Sequence, residues 1–187
     1  GGEGAVLKGT ITNASGQSRE VITEWKLKRV EETHGDYIEY VYETADEPVR
    51  GGLVAKAIYL KEVRAGNSGQ APHTVVVLEG SKQKRLKNNN ARYGFLTSSN
   101  RLLEKLTVHF QGSTLRSYAF TYSEGAFNKD VLTGVKQLDD KGAEVSYQKF
   151  DYYDDVQAAK GYVPFKEKQE IWNTHNDGLD DVALLDV

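Results

Sequence analysis

The sequence contains no cysteine and no methionine in its 187 residues. The absence of cysteine excludes disulfide bonds, thiolate nucleophiles and zinc or iron–sulfur sites with cysteine ligands. Because not even an initiator methionine is present, we expect the chain to be excised from a longer polypeptide. No segment approaches the roughly 20 consecutive apolar residues of a membrane span, and the N-terminus does not resemble a secretion signal.

Proline is also scarce, at 3 residues, whereas the chain has 11 Tyr, 6 Phe, 2 Trp and 18 Gly. Aromatic stretches separated by glycine-containing breaks favour antiparallel β-structure. The charge is nearly balanced, since 24 Lys and Arg against 27 Asp and Glu give a formal net charge of −3. This balance argues against nucleic acid or an anionic membrane as the main partner.

Alternation of apolar and polar residues identifies the strands. Ile38, Tyr40 and Tyr42 fall on one face of a strand at 37–43, and glutamates fall on the other. Further strands are predicted at 24–32, 53–63, 74–79, 102–110, 115–122, 131–138 and 145–153. We expect the apolar faces to form the core, with Trp25, Ile38, Tyr40, Tyr42, Leu106, Val108, Tyr118, Phe120 and Tyr152 mostly buried.

Three hairpins share a cadence, which indicates an internal repeat. Each opens with a leucine, namely Leu27, Leu103 or Leu132, then turns at a glycine and returns through alternating aromatic residues. Stacked hairpins of this kind give a long antiparallel sheet, and a long sheet tends to curl. The predicted fold is therefore all-β, an extended antiparallel sheet of stacked hairpins that is curled or partly barrel-like.

The segment 25–42, WKLKRVEETHGDYIEYVY, resembles the W-x-L-x-x-I-x-D-x-x-G-N-x-I-x-Y-x-Y element of the plasmid virulence protein N-terminal domain. That domain also opens the B components of insecticidal Tc toxin complexes and is akin to RHS/YD-repeat proteins. Glu32 and Asp36 depart from this element, since they stand where the family usually has Asp and Asn in the turn. The resemblance covers about 24–155, and the residues that carry it include Trp25, Leu27, Gly35, Tyr40, Tyr42, Tyr118, Phe120, Tyr122, Asp151 and Tyr152.

The C-terminal segment 173–185, NTHNDGLDDVALL, is similar to the D-x-N-x-D-G-x-x-D loop of FG-GAP/VCBS propeller repeats. We therefore expect 1–158 to form the β-hairpin domain and 159–187 to be a tail that begins a propeller blade. The resemblance implies a weak calcium site at Asn173, Asp177 and Asp181, since calcium binds several oxygen ligands from a glycine-turned loop. A turn held only by side chains is the alternative, because Asn173 and His175 are poor substitutes for carboxylates.

Motifs for catalysis are missing from the sequence. The four histidines lie far apart, and neither a Gly-x-Ser-x-Gly element nor a phosphate-binding loop is present. We predict no enzymatic activity and no cofactor other than the calcium of the tail loop. The basic run Lys82, Lys84, Arg85 and Lys87 is interpreted as a solvated loop, with recognition of an acidic partner as the alternative.

The resemblance implies a non-catalytic β-scaffold segment of a larger secreted or surface-delivered toxin or virulence protein. Such a segment would help form a shell around other domains, or a platform for them. The expected partners are other domains of the same polypeptide and toxin-complex subunits, with no nucleic acid and no membrane span. A surface-exposed glycan- or protein-binding module is the alternative, with aromatic side chains or the sheet edge as the contact.

Overall fold

The strands follow one another through almost the whole of residues 4–152, which are the residues described by the computed structural model. Outside the strands, the only helical element in that range is a single 3-10 turn at Ala126–Asn128. The all-β prediction is confirmed. The strands are β1 (Val6–Thr12), β2 (Ser18–Trp25), β3 (Arg29–Glu31), β4 (Asp36–Pro48), β5 (Val54–Asn67), β6 (Thr74–Glu79), β7 (Asn89–Asn90), β8 (Thr97–Ser98), β9 (Lys105–Phe110), β10 (Ser113–Glu124), β11 (Asp130–Leu138) and β12 (Glu144–Lys149).

These strands form two sheets. The hairpin β1–β2 is a two-stranded sheet. In the ten-stranded sheet, eight antiparallel strands follow the order β12-β11-β10-β9-β6-β5-β4-β3. The short strand β7 pairs with β8, and β8 joins the large sheet through a parallel pairing of Thr97 with Lys56 of β5. The strand predicted at 24–32 is therefore interrupted, because β2 ends in one sheet at Trp25 and β3 starts the other at Arg29.

Four hairpin turns lie at the same end of the strands of the large sheet, and we call this end the turn edge. They join β3 to β4, β5 to β6, β9 to β10 and β11 to β12. Hydrogen bonds link neighbouring turns, from Ser68 N to the Gly35 carbonyl at 2.7 Å and from Gln111 N to the His73 carbonyl at 2.7 Å. The β9–β10 connection is a two-residue turn in which Gln111 and Gly112 have φ of 48° and 83°, as hairpins with a primed turn require.

The register gives the large sheet one aromatic face. Opposite residues on neighbouring antiparallel strands share a face, so Tyr40, Val63, Val76 and Val108 form one row across four strands. A second row contains Leu78, Leu106 and Tyr118, and a third pairs Phe120 with Val135. We call this surface the aromatic face, and its reverse the polar face.

The fully buried residues are concentrated at one end of the sheet. β1 packs against the start of β5 there, and Ala5, Leu7, Ala55 and Ala57 are at most 2% exposed. Leu7 is the largest fully buried side chain in the part of the chain that the structure describes.

The prediction that Trp25, Ile38 and Tyr152 are mostly buried is wrong. In the described part of the chain their exposed fractions are 66%, 41% and 54%. Trp25 ends β2 in the two-stranded sheet, Ile38 lies near the start of β4, and Tyr152 follows β12, the last strand of the large sheet. The remaining predicted core residues of the aromatic face are half-buried, namely Tyr40, Tyr42, Leu106, Val108, Tyr118 and Phe120.

The described residues belong to one structural unit, Gly1–Tyr152. The predicted boundary at residue 158 and the tail 159–187 lie outside them and stay predictions. None of the helical structure in residues 4–152 is long and apolar enough to cross a membrane.

Candidate functional site

A tyrosine fastens the base of each of the three repeated hairpins. The Tyr42 hydroxyl donates to the Leu27 carbonyl at 2.9 Å, and the Tyr122 hydroxyl donates to the Leu103 carbonyl at 2.7 Å. In the third hairpin the Tyr152 hydroxyl donates to the Leu132 carbonyl at 2.7 Å. The acceptor is in each case the leucine that opens the hairpin. We call these three contacts the tyrosine anchors.

A backbone hydrogen bond accompanies each anchor in the same relative position. The residue two before the tyrosine donates its N–H to the carbonyl one after the leucine. These bonds join Tyr40 to Lys28 at 2.8 Å, Phe120 to Glu104 at 2.9 Å and Phe150 to Thr133 at 3.0 Å. The repeat seen in the sequence therefore has one geometry at the base of all three hairpins.

The turns at the other end of the hairpins differ in their side-chain support. The Asp139 carboxylate accepts the N–H groups of Lys141 and Ala143. In the β1–β2 turn, the side-chain oxygen of Asn13 accepts the N–H groups two and four residues later. Glu32 keeps the backbone bonds, with its N–H donating to the Asp36 carbonyl at 2.8 Å and its carbonyl accepting from Gly35 at 3.0 Å. The Asp139 turn has the same two backbone bonds, from Asp139 N to the Ala143 carbonyl at 2.9 Å and from Gly142 N to the Asp139 carbonyl at 3.3 Å.

Asp151 does not take part in the anchor beside it. Its carboxylate forms an exposed ion pair with Lys149 at 3.0 Å. Exposed pairs of this kind contribute little to stability. The motif residues thus divide into those of the anchors and turns, which include the Leu27 carbonyl, and the exposed side chains of Trp25 and Asp151, which take part in neither.

A buried carboxylate, Glu47, ties the crossover between β6 and β9 to the β4–β5 hairpin. Glu47 is 4% exposed and accepts hydrogen bonds from the Tyr59 hydroxyl at 2.8 Å and the Ser98 hydroxyl at 2.7 Å. Arg101 donates its Nε to Glu47 at 3.0 Å and its Nη1 to Glu43 at 2.7 Å. The Arg101 guanidinium also lies 4.7 Å from the centre of the Tyr59 ring.

The electrostatics of this cluster favour a charged Glu47. Burial opposes ionisation of Glu47, but the hydrogen bonds from Ser98, Tyr59 and Arg101 outweigh it and lower the pKa of the carboxyl below its ordinary value. Burial and the neighbouring Glu47 raise the pKa of Tyr59. These hydrogen bonds join side chains of β4 and β5 to Ser98 and Arg101, so the cluster holds two segments of the chain together.

Glu104 plays a similar part beside the second anchor. Its carboxylate accepts the N–H groups of Ser81 at 2.8 Å and Lys82 at 3.0 Å, together with the Ser81 hydroxyl at 3.0 Å. These hydrogen bonds lower the pKa of Glu104. The start of the long crossover is thereby fixed next to the Leu103 carbonyl that Tyr122 binds.

Within residues 4–152, no group of three or more His, Asp or Glu side chains is placed to hold a metal ion. The histidine rings in that range lie within hydrogen-bond distance of threonine hydroxyls, as His109 does with Thr114 at 3.3 Å. The predicted calcium ligands Asn173, Asp177 and Asp181 lie outside the described residues. The sequence reasoning missed the Glu47 cluster because its members are up to 54 residues apart in the chain.

The solved structures that resemble this chain include two Tc toxin structures and one effector domain. A crystal structure of TcdB2-TccC3-TEV matches 81% of the chain with 16% identity and a TM-score of 0.53. The N-terminal domain of effector protein SpvB from Salmonella typhimurium matches 73% with 15% identity and a TM-score of 0.54. A Photorhabdus luminescens Tc holotoxin pore matches 76% with 17% identity and a TM-score of 0.52.

The chain shares the fold of these toxin and effector segments. It spans 10%, 55% and 9% of the lengths of the three matched chains. No protein-family model and no curated protein matches the sequence.

Proposed function

We propose that this chain is a non-catalytic wall segment of a larger secreted toxin or virulence protein. It helps form a shell around other domains, or a platform for them. Its partners are further domains of the same polypeptide and subunits of a toxin complex. The half-exposed aromatic face of the ten-stranded sheet is the observation that carries this proposal.

A face of this composition needs a cover. Antiparallel sheets normally pack one face against a second layer and leave the other face in water. Here the aromatic face has rows of Val, Leu, Tyr and Phe, while the polar face has residues such as Glu62, Arg64 and Lys105. Large apolar patches on a protein mark interaction surfaces. We therefore propose that polypeptide outside residues 4–152 packs against the aromatic face.

The edges of the sheet support the same proposal. Among residues 4–152, β3 and β12 each pair on one side only. A strand with an unpaired edge presents N–H and C=O groups that another strand can bond. A sheet with two open edges and one apolar face is suited to continue into a longer wall.

The solved structures that share the fold support the proposal by their size and type. Two belong to Tc toxin assemblies, and the third is the N-terminal domain of an effector. In the two Tc structures the chain corresponds to about a tenth of the matched chain, as a segment of a larger wall would.

Two neighbouring valines on β6 give a matched test of the proposal. Val76 lies on the aromatic face and Val77 on the polar face, and both are half-buried. Because the chain has no cysteine, Val76→Cys and Val77→Cys each introduce a single thiol. In the 187-residue chain, we expect both thiols to react with a maleimide at similar rates. In the parent polypeptide, we expect the Val76→Cys thiol to react at least about tenfold more slowly than the Val77→Cys thiol, since burial protects a thiol from the reagent. Equal reaction of the two thiols in the parent would contradict the proposal.

A second candidate function is a glycan- or protein-binding module. It rests on the 66% exposure of Trp25, because exposed aromatic rings stack on sugars and anchor interfaces. A glycan array probed with the chain and with Trp25→Ala distinguishes the two. Binding that is lost in Trp25→Ala favours the module, and an array without signal favours the wall.

A further inference from the structure

The long crossover between β6 and β9 forms a basic groove with the β10–β11 connection. The groove has a volume of about 450 Å³ and brings together residues more than 40 positions apart. We call it the lysine groove, and its lining includes Lys84, Leu86, Lys87, Leu102, Lys129 and Asp130. The sequence run from Lys82 to Lys87 contained only part of this surface, because Lys129 comes from a separate loop.

The three lysines of the groove do not pair directly with carboxylates of the described residues. Lys84 donates to the Ser99 carbonyl at 2.8 Å and Lys87 to the Gln83 side-chain oxygen at 2.8 Å, both neutral acceptors. Within residues 4–152, neither of these lysines nor Lys129 forms an ion pair. Three positive charges therefore border one groove on a chain whose net charge is −3.

The acidic residue in the groove is already neutralised. The side chain of Asp130 is 3% exposed and accepts the backbone N–H of Arg85 at 2.7 Å as well as the Arg85 guanidinium. Arg85 thus pairs with Asp130, and its Nε also lies 3.6 Å from the exposed carboxylate of Glu124. Lys84, Lys87 and Lys129 are the groove lysines whose charges can pair with an anionic ligand.

The groove is held in shape by hydrogen bonds. Asn100 is 3% exposed, and its side-chain oxygen accepts the Asn88 N–H at 2.6 Å while its amide donates to Asn89 at 2.8 Å. The Asn100 carbonyl accepts the Lys84 N–H at 2.6 Å. On the other wall, Gly125 N bonds the Lys129 carbonyl at 2.8 Å and closes the loop from which Lys129 projects. The basic run is an exposed loop, as predicted from the sequence, and these hydrogen bonds fix its course.

The groove also contains apolar surface. Leu86 is 50% exposed and Leu102 is 8% exposed. No aromatic ring in the described residues lines it, and nucleic-acid sites without sequence preference use aromatic rings for stacking. A concave groove with charges on its walls fits a chain that enters it better than it fits the surface of a bilayer.

We propose that the lysine groove binds an acidic peptide segment that carries leucine-like side chains between its carboxylates. The carboxylates pair with Lys84, Lys87 and Lys129, and an apolar side chain packs against Leu86. Complementary charge speeds the encounter and selects the partner, and the leucine contact adds burial. This interaction is independent of whether the sheet forms a wall.

A fluorescent ten-residue peptide that alternates Asp or Glu with Leu tests the proposal on the full 187-residue chain by anisotropy. The triple variant Lys84→Gln, Lys87→Gln and Lys129→Gln should weaken binding by about tenfold, since it removes all three charges that pair with the peptide carboxylates. The matched control is Lys61→Gln, Lys141→Gln and Lys149→Gln, which removes the same charge from exposed positions elsewhere. This control should bind the peptide within about twofold of the unmodified chain.

Further arms decide between outcomes. A peptide with Asn and Gln in place of the acids should not bind, and a photo-reactive acidic peptide should label the segments 84–88 and 125–130 of the unmodified chain. The labelling arm keeps the test valid if the groove variant fails to fold. Equal loss in both triple variants, binding of the amide peptide, or binding of phosphatidylglycerol vesicles without binding of the peptide would each overturn the proposal.

Discussion

The Tyr122 hydroxyl lies 2.7 Å from the Leu103 carbonyl oxygen, to which it donates a hydrogen bond across 19 residues of chain. This contact joins the end of β10 to the start of the hairpin that β10 completes. Burial, together with the charges of Glu104 and Asp130, raises the pKa of Tyr122, so the hydroxyl remains protonated and able to donate. The anchor thus combines an apolar ring on the aromatic face with a bond to the backbone at the sheet margin.

Removing this hydroxyl should destabilise the chain measurably. For Tyr122→Phe we expect the free energy of unfolding to fall by about 1 to 2 kcal/mol, because the Leu103 carbonyl loses its partner at a half-buried position. Tyr118→Phe is the matched control. Tyr118 lies on the same strand and face, and its hydroxyl makes no hydrogen bond within residues 4–152. Urea denaturation of both variants checks the prediction, and equal midpoints would contradict it.

Close backbone contact should make Gly80 intolerant of a side chain. A Cβ at Gly80 would lie 2.1 Å from the Leu102 carbonyl oxygen and 3.2 Å from the Leu103 Cα, both backbone atoms. We expect Gly80→Ala to cost about 2 kcal/mol or more, as overpacking does when the backbone itself has to move. Thermal and urea denaturation measure the loss.

Gly134 provides the contrast to Gly80. A Cβ there would meet the Tyr147 ring at 2.6 Å and the Thr121 hydroxyl at 2.8 Å. Both are side chains, and Tyr147 is 46% exposed, so its ring can rotate away. Gly134→Ala should therefore cost less than Gly80→Ala. A larger loss at Gly134 than at Gly80 would show that the Leu102–Leu103 backbone is free to shift.

Acid should destabilise the fold through Glu47 and Glu104. Both carboxyls have a pKa lowered below the ordinary value of 4.5, so their ionised forms favour the folded state. This contribution is fully present above pH 4.5 and is lost as the pH falls through the lowered values. We expect Glu104→Gln to make unfolding free energy less dependent on pH below 4.5, measured by urea denaturation at several pH values.

The control for the acid experiment is Asp140→Asn, which changes an exposed turn residue with no hydrogen bond in the described residues. It should keep the pH dependence of the unmodified chain. An unchanged slope in Glu104→Gln would show that the bonds from Ser81 and Lys82 do not stabilise the carboxylate.

The tail loop should bind calcium only weakly. Asn173 and His175 supply no negative charge, which leaves Asp177, Asp181 and Asp180 as anionic ligands in this segment. We expect dissociation constants of about 10⁻⁴ to 10⁻³ M by calorimetric titration, and a further loss in Asp177→Ala. Micromolar binding that disappears in Asp177→Ala would mean that the loop is a complete calcium site.

Strand positions were predictable because alternation is a local property. The pattern around Ile38, Tyr40 and Tyr42 places one face of β4 whatever lies above it. The repeated leucine and tyrosine positions also indicated a common hairpin, which the anchors at Leu27, Leu103 and Leu132 have in common.

Burial and long-range contacts were not predictable in the same way. Trp25 and Ile38 are residue types that often lie in a core, but their exposure depends on whether a second layer packs on them, which the alternation within one strand does not encode. Arg101 reaches Glu47 across 54 residues, and Lys129 joins the basic run from another loop. Neither distance leaves a periodic signal in a single sequence.

The three anchors span 15, 19 and 20 residues, although their closing geometry is the same. Hairpin length is therefore independent of how the base closes. Residues can be added or removed at the turn edge while the tyrosine continues to set the register from the opposite end. A duplicated hairpin in such a chain can diversify the side chains of its tip, because the hydrogen bonds between neighbouring turns are made by backbone atoms, so the turn edge is where related modules have room to acquire different surfaces.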